Sequence, residues 1–270
     1  MDKKLIGIGR TSEVYEYNND CVLKLYYNET QDLIKKEYNF AKYVFEKNIA
    51  TPEPIEILSI NNRCGIIFKK INSESLLRII MKNLFMAKII FSKMANLHYE
   101  INKIDFNDNT YTYKKYLDWA IKESKHITNI EKDKLKDYIY KLPDGNKLCH
   151  GDFHPDNIIC DKDKLYIIDW MTGMQGTMAA DVARTEMIFR NADIPGKGTL
   201  FIKTINKIAS NIVANIYVKE YCKISGLKSH EINIWKLPLY VARLHENNSK
   251  NEEEKLIKKI KKLMKKQTSA

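Results

Sequence analysis

Hydrophobic and polar positions change period several times along the chain, and each change predicts an element. Residues 5–17 read as a strand, a glycine-punctuated turn and a second strand. Residues 21–26 are a third strand in which Lys24 stands alone among apolar neighbours. From 31 to 47 the period becomes helical: Leu33, Ile34, Tyr38, Ala41, Val44 and Phe45 form a stripe, with Glu37 next to it. Pro52 and Pro54 stop that helix, because neither can continue it. Apolar runs at 55–60 and 65–68 flank Asn61-Asn62-Arg63, a hairpin signature. Ser73-Glu74-Ser75 can cap a helix. Between 79 and 100 apolar residues, Leu84, Phe85, Ile89, Ile90, Met94 and Leu97 among them, occupy more than one face and predict a central buried helix.

The second half is mostly helical. Residues 105–147 are polar and rich in tyrosine, and predict helices. Apolar Ile158-Ile159, the polar turn 161–164 and apolar 165–168 predict another hairpin. Asp181 opens a helical stripe of Val182, Ala183, Met187 and Ile188; 191–198 is a loop, and 201–221, 231–245 and 250–270 are helical.

Composition narrows the class. A chain of 270 residues exceeds the usual single core and suits two lobes. With 44% hydrophobic and 29% charged residues, disorder is not indicated. Five scattered cysteines without a C-x-x-C pattern argue for reduced thiols and against a zinc site. The apolar stretch after Met1 is too short for a secretory leader, and no run reaches the roughly 18 apolar residues of a membrane span. The expectation is a cytoplasmic protein. The net charge of +11 is concentrated: residues 250–270 carry eight Lys against three Glu. Leu256, Ile257, Ile260, Leu263 and Met264 give that helix one apolar stripe, which predicts docking on the rest of the chain. No aromatic-interleaved basic motif accompanies it, so nucleic acid is not the expected partner.

The chemistry concentrates in Cys149-His150-Gly151-Asp152-Phe153-His154-Pro155-Asp156-Asn157 and in Asp169. Asp152 can accept a hydroxyl proton; Asn157 and Asp169 offer hard oxygen ligands for Mg²⁺. Asp152 and Asn157 are five residues apart, the spacing of base and metal ligand in H-R-D-x-x-x-x-N. The predicted hairpin returns Asp169 to Asn157. Gly7, Gly9 and Ser12 partly match a phosphate-covering G-x-G-x-x-G loop, and Lys24 fits the strand lysine that pairs phosphates. Glu37 is the chosen partner of that lysine.

His150 to Asn157, with Ile168-Asp169-Trp170 and the run 176–185, resembles the aminoglycoside phosphotransferase/choline kinase-like family. The resemblance is strong over 148–185, moderate over 5–71 and weak elsewhere. It implies an α+β, bilobal protein kinase-like fold with a β-rich N-terminal lobe at 1–71 and a larger helical lobe at 72–270. It also implies transfer of the γ-phosphoryl of ATP or GTP, with Mg²⁺, to a small-molecule hydroxyl. By the same resemblance, backbone groups of Lys69 to Ile71 bond the adenine edge and Asp181 braces the catalytic loop. Thr177-Met178 departs from the family's usual Asp-Pro, and Asp169-Trp170-Met171 lacks the D-F-G glycine of protein kinases. A polycationic acceptor needs an acidic site, and 199–270 holds few acids outside Glu231, Glu246 and 252–254. A general small-molecule kinase therefore ranks above an aminoglycoside kinase. The rival class is a regulatory nucleotide-binding pseudokinase or a binding module built on the basic tail.

Overall fold

The computed structural model describes residues 4–191, 200–246 and 250–268. Beyond Asn191, the loop expected over 191–198 lies outside the described residues. In chain order the strands and helices are β1 (Leu5–Ile8), β2 (Ser12–Asn18), β3 (Cys21–Tyr26), α1 (Gln31–Glu46), β4 (Pro54–Ile60), β5 (Arg63–Lys69), β6 (Glu74–Ser75) and α2 (Leu76–Lys82). They continue with α3 (Ala87–Asn102), α4 (Tyr113–Glu123), α5 (Asn129–Lys141), β7 (Lys147–Cys149), β8 (Ile158–Asp161) and β9 (Lys164–Ile167). The last are β10 (Met174–Gly176), α6 (Met178–Asn191), α7 (Leu200–Ser225), α8 (Ser229–Asn233), α9 (Lys236–Arg243) and α10 (Lys250–Thr268). The chain divides into two compact units: Met1–Met86 with Phe153–Gly173, and Ala87–Asp152 with Met174–Ala270.

In the first unit five antiparallel strands lie in the order β1-β2-β3-β5-β4. The two-residue side-chain period of a strand decides what each face does. Leu23 and Leu25 join Ile67 in one buried cluster, while Tyr26 joins Ile66 and Ile34 of α1 in another. Lys24 shares the Tyr26 face. Asn61 and Asn62, at φ 49 and 63, form the tight β4–β5 turn, since a two-residue hairpin matching strand twist needs φ > 0 at both positions.

Thr30 caps α1, its side chain accepting from the Leu33 N–H, a contact worth about 1 kcal/mol. The face that α1 buries is Ile34, Glu37, Phe40, Ala41 and Val44. This is rotated from the expected stripe: Phe45 is exposed, and Glu37 lies inside the buried face rather than beside it. A smaller sheet, β6-β8-β9, pairs Ser75 with Ile159 and Ile158 with Ile167.

The continuous helix expected over 79–100 is two helices. α2 ends at Asn83, whose backbone is extended and whose side chain accepts from the Phe85 N–H, a local bond that competes with helix continuation. Leu84 and Phe85, expected in the core, are 74% and 96% exposed. Ile80 of α2 is buried, and after the break Ile90, Phe91, Met94 and Ala95 of α3 enter a core.

The second unit is mainly helical, with α3 packed on α7, α4 on α9 and α6 on α7. The helix expected over 231–245 is divided into α8 and α9. α10 rests against α9 and buries Leu256 and Ile260, two residues of its apolar stripe.

Candidate functional site

Lys24 Nζ donates to Glu37 Oε1 at 2.6 Å and to Asp169 Oδ1 at 3.0 Å. Tyr26 OH donates to the other Glu37 oxygen at 2.7 Å. Tyr26 lies two residues from Lys24 on the same strand face, a position that the two-residue period supplies. Burial opposes the charge of Lys24, yet the Asp169 and Glu37 carboxylates hold its pKa above the ordinary lysine range. Glu37 is pushed up, because burial and the nearby Asp169 charge outweigh its bonds to Lys24 and Tyr26. Two carboxylates about one ammonium make this cluster cation-seeking.

Asn157 ends a 3₁₀ turn capped by His154, whose ring nitrogen accepts from the Asp156 N–H at 3.3 Å. The Ile168 N–H donates to the Asn157 carbonyl at 3.0 Å, so the β8–β9 hairpin does bring its two ends together. Asp169 follows at φ 65, ψ 67, a left-handed conformation disfavoured for a non-glycine residue. Such strain persists where the surroundings over-determine it, and it clusters at ligand sites. Below the turn, Thr51 Oγ1 donates to Ile167 O at 2.7 Å and accepts from Trp170 Nε1 at 3.2 Å.

Among the described residues, no group of three or more His, Cys, Asp or Glu side chains is placed to hold a metal. Asn157 and Asp169 instead offer one amide and one carboxylate oxygen. Magnesium fits such a set, since it is commonly held by one or two protein oxygens while water and phosphate complete its shell.

Gly9 closes a turn by donating its N–H to Ser12 O at 2.8 Å, and Ser12 is buried. A Cβ at Gly7 would meet only Val14 at 3.5 Å, and neither glycine adopts a positive φ. The fold therefore has little need of glycine at position 7. At Lys69 and Lys70 the N–H groups are committed to Glu53 O and Asp20 O at 2.9 and 2.8 Å.

Asp152 lies in the second unit, half-buried, at the end of a loop with one dominant anchor. Asp181 accepts from the N–H groups of His150 (2.8 Å) and Gly151 (2.9 Å), from His98 Nε2 (2.8 Å), Asn102 Nδ2 (3.1 Å) and Tyr113 OH (2.9 Å). Gly151, at φ 76, makes the turn that aims both N–H groups at one carboxylate. Burial would raise the pKa of Asp181, but His98 and the two N–H bonds hold it well below the usual range. His98 is thus a buried structural partner whose Nδ1 meets the Tyr217 hydroxyl. Asn102 also bonds Leu148 O and Tyr221 OH.

Beside Asp152 stands a wall that the sequence did not announce. Arg184 Nε donates to Gly151 O at 3.1 Å, and its Nη2 reaches Glu246 Oε1 at 2.5 Å. Glu246 also bonds Arg243, and Arg243 Nη2 lies 3.8 Å from Glu252. Burial opposes the charge of Arg184; Glu246, Tyr116 and Asp152 hold its pKa up. Arg184 Nη1 is buried with no hydrogen-bond partner among the described residues. Trp119, half-exposed, has its ring 5.0 Å from that of His245 and stacks at 6.2 Å on Tyr116. Glu246 is 62 positions from Arg184, too far for local spacing to reveal the pair.

The chain is similar in fold to proteins of known structure. A model of the phosphotransferase enzyme family matches residues 94–196. No curated protein matches the chain. Among solved structures, an aminoglycoside-3'-phosphotransferase of type VIII is similar at 11% identity over 90% of this chain and 94% of that one, with a TM-score of 0.63. A choline/ethanolamine kinase family protein from Mesorhizobium loti matches at 11% identity over 98% and 88%, with a TM-score of 0.62. An amicoumacin kinase, solved with AMP-PNP, Ca2+ and Ami, matches at 13% identity over 96% and 87%, with a TM-score of 0.59. The chain has the α+β fold of the aminoglycoside phosphotransferase and choline kinase-like proteins, and the stretch 149–157 falls within the segment that matches the phosphotransferase enzyme family.

Proposed function

We propose that the protein is a small-molecule kinase, transferring the γ-phosphoryl of ATP or GTP to a hydroxyl with Mg²⁺. One observation carries this reading: Lys24 bonds Glu37, the strand-lysine to helix-glutamate pair that protein kinases need, and lies against Asp169, the carboxylate placed to hold metal. Lys24 would hold phosphate oxygens, and the bare backbone of Gly7 and Gly9 would approach them. Asn157 and Asp169 would hold the metal, which when bound neutralises phosphate charge. Asp152 would take the proton of the acceptor hydroxyl. That oxygen then bonds to the γ-phosphorus as the bridge to the β-phosphate breaks, releasing the nucleoside diphosphate. Positioning and charge neutralisation supply most of such catalysis, since the transition state is loose. The neighbour solved with AMP-PNP and another solved with streptomycin and ATP support nucleotide use.

The acceptor we infer is neutral or anionic and rich in oxygen. The two carboxylates of the wall, Glu246 and Glu252, are each shared with an arginine, so they do not form a free acidic site for a polyamine. The unpartnered Arg184 N–H is instead a donor for an acceptor oxygen, and Trp119 offers a ring face. A pseudokinase would be expected to lack one of Lys24, Asp152, Asn157 and Asp169; all four are present.

The test is nucleotide consumption with Mg²⁺ against sugars, sugar acids, nucleosides, amino alcohols and aminoglycosides. Turnover of an oxygen-rich neutral or anionic acceptor, lost in Asp152→Asn, is expected. Preferred turnover of an aminoglycoside would overturn the acceptor class. Nucleotide that fails to bind at all would overturn the kinase.

A further inference from the structure

The loop that carries Asp152 is held from a part of the chain that its own sequence does not announce. The peptide unit joining Gly151 to Asp152 is bonded at both ends. Its N–H, that of Asp152, donates to His150 Nδ1 at 3.2 Å, and its carbonyl, that of Gly151, accepts from Arg184 Nε at 3.1 Å. A peptide is planar, so fixing both ends fixes the plane and leaves the Asp152 side chain only its own rotamers. The His150 bond is local. Arg184 comes from α6, and its long side chain keeps one position only where something holds it.

Glu246 supplies that hold. Its Oε1 lies 2.5 Å from Arg184 Nη2, and its other oxygen accepts from Nη1 of Arg243, three residues earlier at the end of α9. Arg243 Nη2 in turn lies 3.8 Å from Glu252 of α10. The side chains of Arg184 and Glu246 are only 8% and 18% exposed, so salt and water screen the pair little. A guanidinium is a rigid plane. With Nε on Gly151 and Nη2 on Glu246, the position of Nη1 follows, and Nη1 is the N–H proposed above to face an acceptor oxygen.

We propose that Glu246 is a positioning residue: by anchoring Arg184 it sets the Gly151–Asp152 peptide, and with it the direction of Asp152. The role rests on the reading of Asp152 as the base. Glu246 need touch neither nucleotide nor acceptor, since its carboxylate is engaged by two arginines. Neutralising it leaves the Arg184 guanidinium as a buried charge short of a partner, and such a charge turns toward water and away from Gly151.

Amide hydrogen exchange of the full chain reads the loop without any ligand. In Glu246→Gln, exchange at 150–152 should be about tenfold faster or more, while α3 and α7 keep their protection. Glu100→Gln, which removes an exposed ion pair with Lys103, should change neither. The second readout is Mg²⁺-dependent ATP hydrolysis, with water in place of the acceptor hydroxyl. The water oxygen bonds the γ-phosphorus, ADP leaves, and the proton passes to Asp152. Glu246→Gln should lower kcat about tenfold and leave KM for ATP within about twofold. Arg184→Gln should do the same, and adding Glu246→Gln to it should have no further effect on either readout. If Glu246→Gln alone does not fold, that last comparison decides, because the double variant leaves neither charge of the pair behind. Where hydrolysis is too slow to follow, exchange decides.

Unchanged exchange at 150–152 in Glu246→Gln overturns the proposal, as does a further rise when it is added to Arg184→Gln. A rise spread equally over α3 and α7 overturns it too, marking a general loss of stability. Hydrolysis lowered by Asp152→Asn but not by Glu246→Gln removes the positioning role and leaves the base. Hydrolysis undiminished in Asp152→Asn removes both.

Discussion

Asp181 and Asp169 are both carboxylates of the recognisable motif, yet their surroundings differ in every respect. Asp181 is fully buried and accepts from five donors, two of them main-chain N–H groups of the loop that carries Asp152. Asp169 has a side chain 36% exposed, strained backbone, and the ammonium of Lys24 as its ion-pair partner among the described residues. A saturated carboxylate holds structure in place. A carboxylate with open lone pairs and a cation-seeking neighbourhood is arranged to receive something. The difference teaches that polar saturation, more than residue type, separates the brace from the site.

The comparison breaks most decisively at Asp181. Asp181→Ala strands His98, Asn102, Tyr113 and two backbone N–H groups in the interior. Chemical denaturation should show a loss of about 3–5 kcal/mol, the range for removing one partner of a buried charge network. A loss under about 1 kcal/mol would mean the hub is solvated and the contrast wrong. Asp152→Asn should keep the fold, preserve nucleotide affinity and lower kcat by about 10²-fold or more. Steady-state kinetics with nearly unchanged kcat would remove Asp152 from the base role.

Asp169→Ala should barely alter stability, by at most about 1 kcal/mol for a partly exposed ion pair. It should abolish the Mg²⁺-dependent part of the thermal shift produced by nucleotide. A shift indifferent to metal in both proteins would refute the assignment. The finest distinction is in pH. The pKa of Asp181 is depressed in the folded protein from an ordinary value of 3.8, so its stabilisation is present above that value and lost as pH falls below it. Asp169→Ala should leave that acid slope in place, and Asp181→Asn should flatten it, as read from denaturation midpoints across the acid range.

Much of this site was legible because its signals are local. Lys24 in an apolar strand, the five-residue spacing of Asp152 and Asn157, and the polar turn of the 158–168 hairpin each occupy fewer than a dozen positions. Glu37 follows from helical spacing, although the buried face is rotated from the expected stripe: Ile34, Ala41 and Val44 belong to both, while Phe40 and Glu37 join the buried face and Phe45 leaves it. What escaped was non-local or a matter of side-chain competition. Arg184 and Glu246 are joined only by folding, and nothing around Glu74 and Ser75 announces their pairing with Cys160 and Ile159. The break at Asn83 escaped because apolar Leu84 and Phe85 continue the pattern of a buried helix while one asparagine side chain bonds its own backbone.

Cys149 adds a practical consequence. Its thiol lies immediately before the loop that carries Asp152, without solvent exposure, and meets the Lys147 and Thr177 carbonyls. Burial first, and the Asp181 charge next, push its pKa well above the ordinary thiol range. Because only a thiolate is readily oxidised or alkylated, the sulfur closest in sequence to the proposed base is a poor place for an electrophile to attack. Cys21, Cys64, Cys160 and Cys222 are all more accessible. Labelling dyes, covalent drugs and peroxide would meet those four first, and the loop that carries Asp152 would be insulated from oxidants.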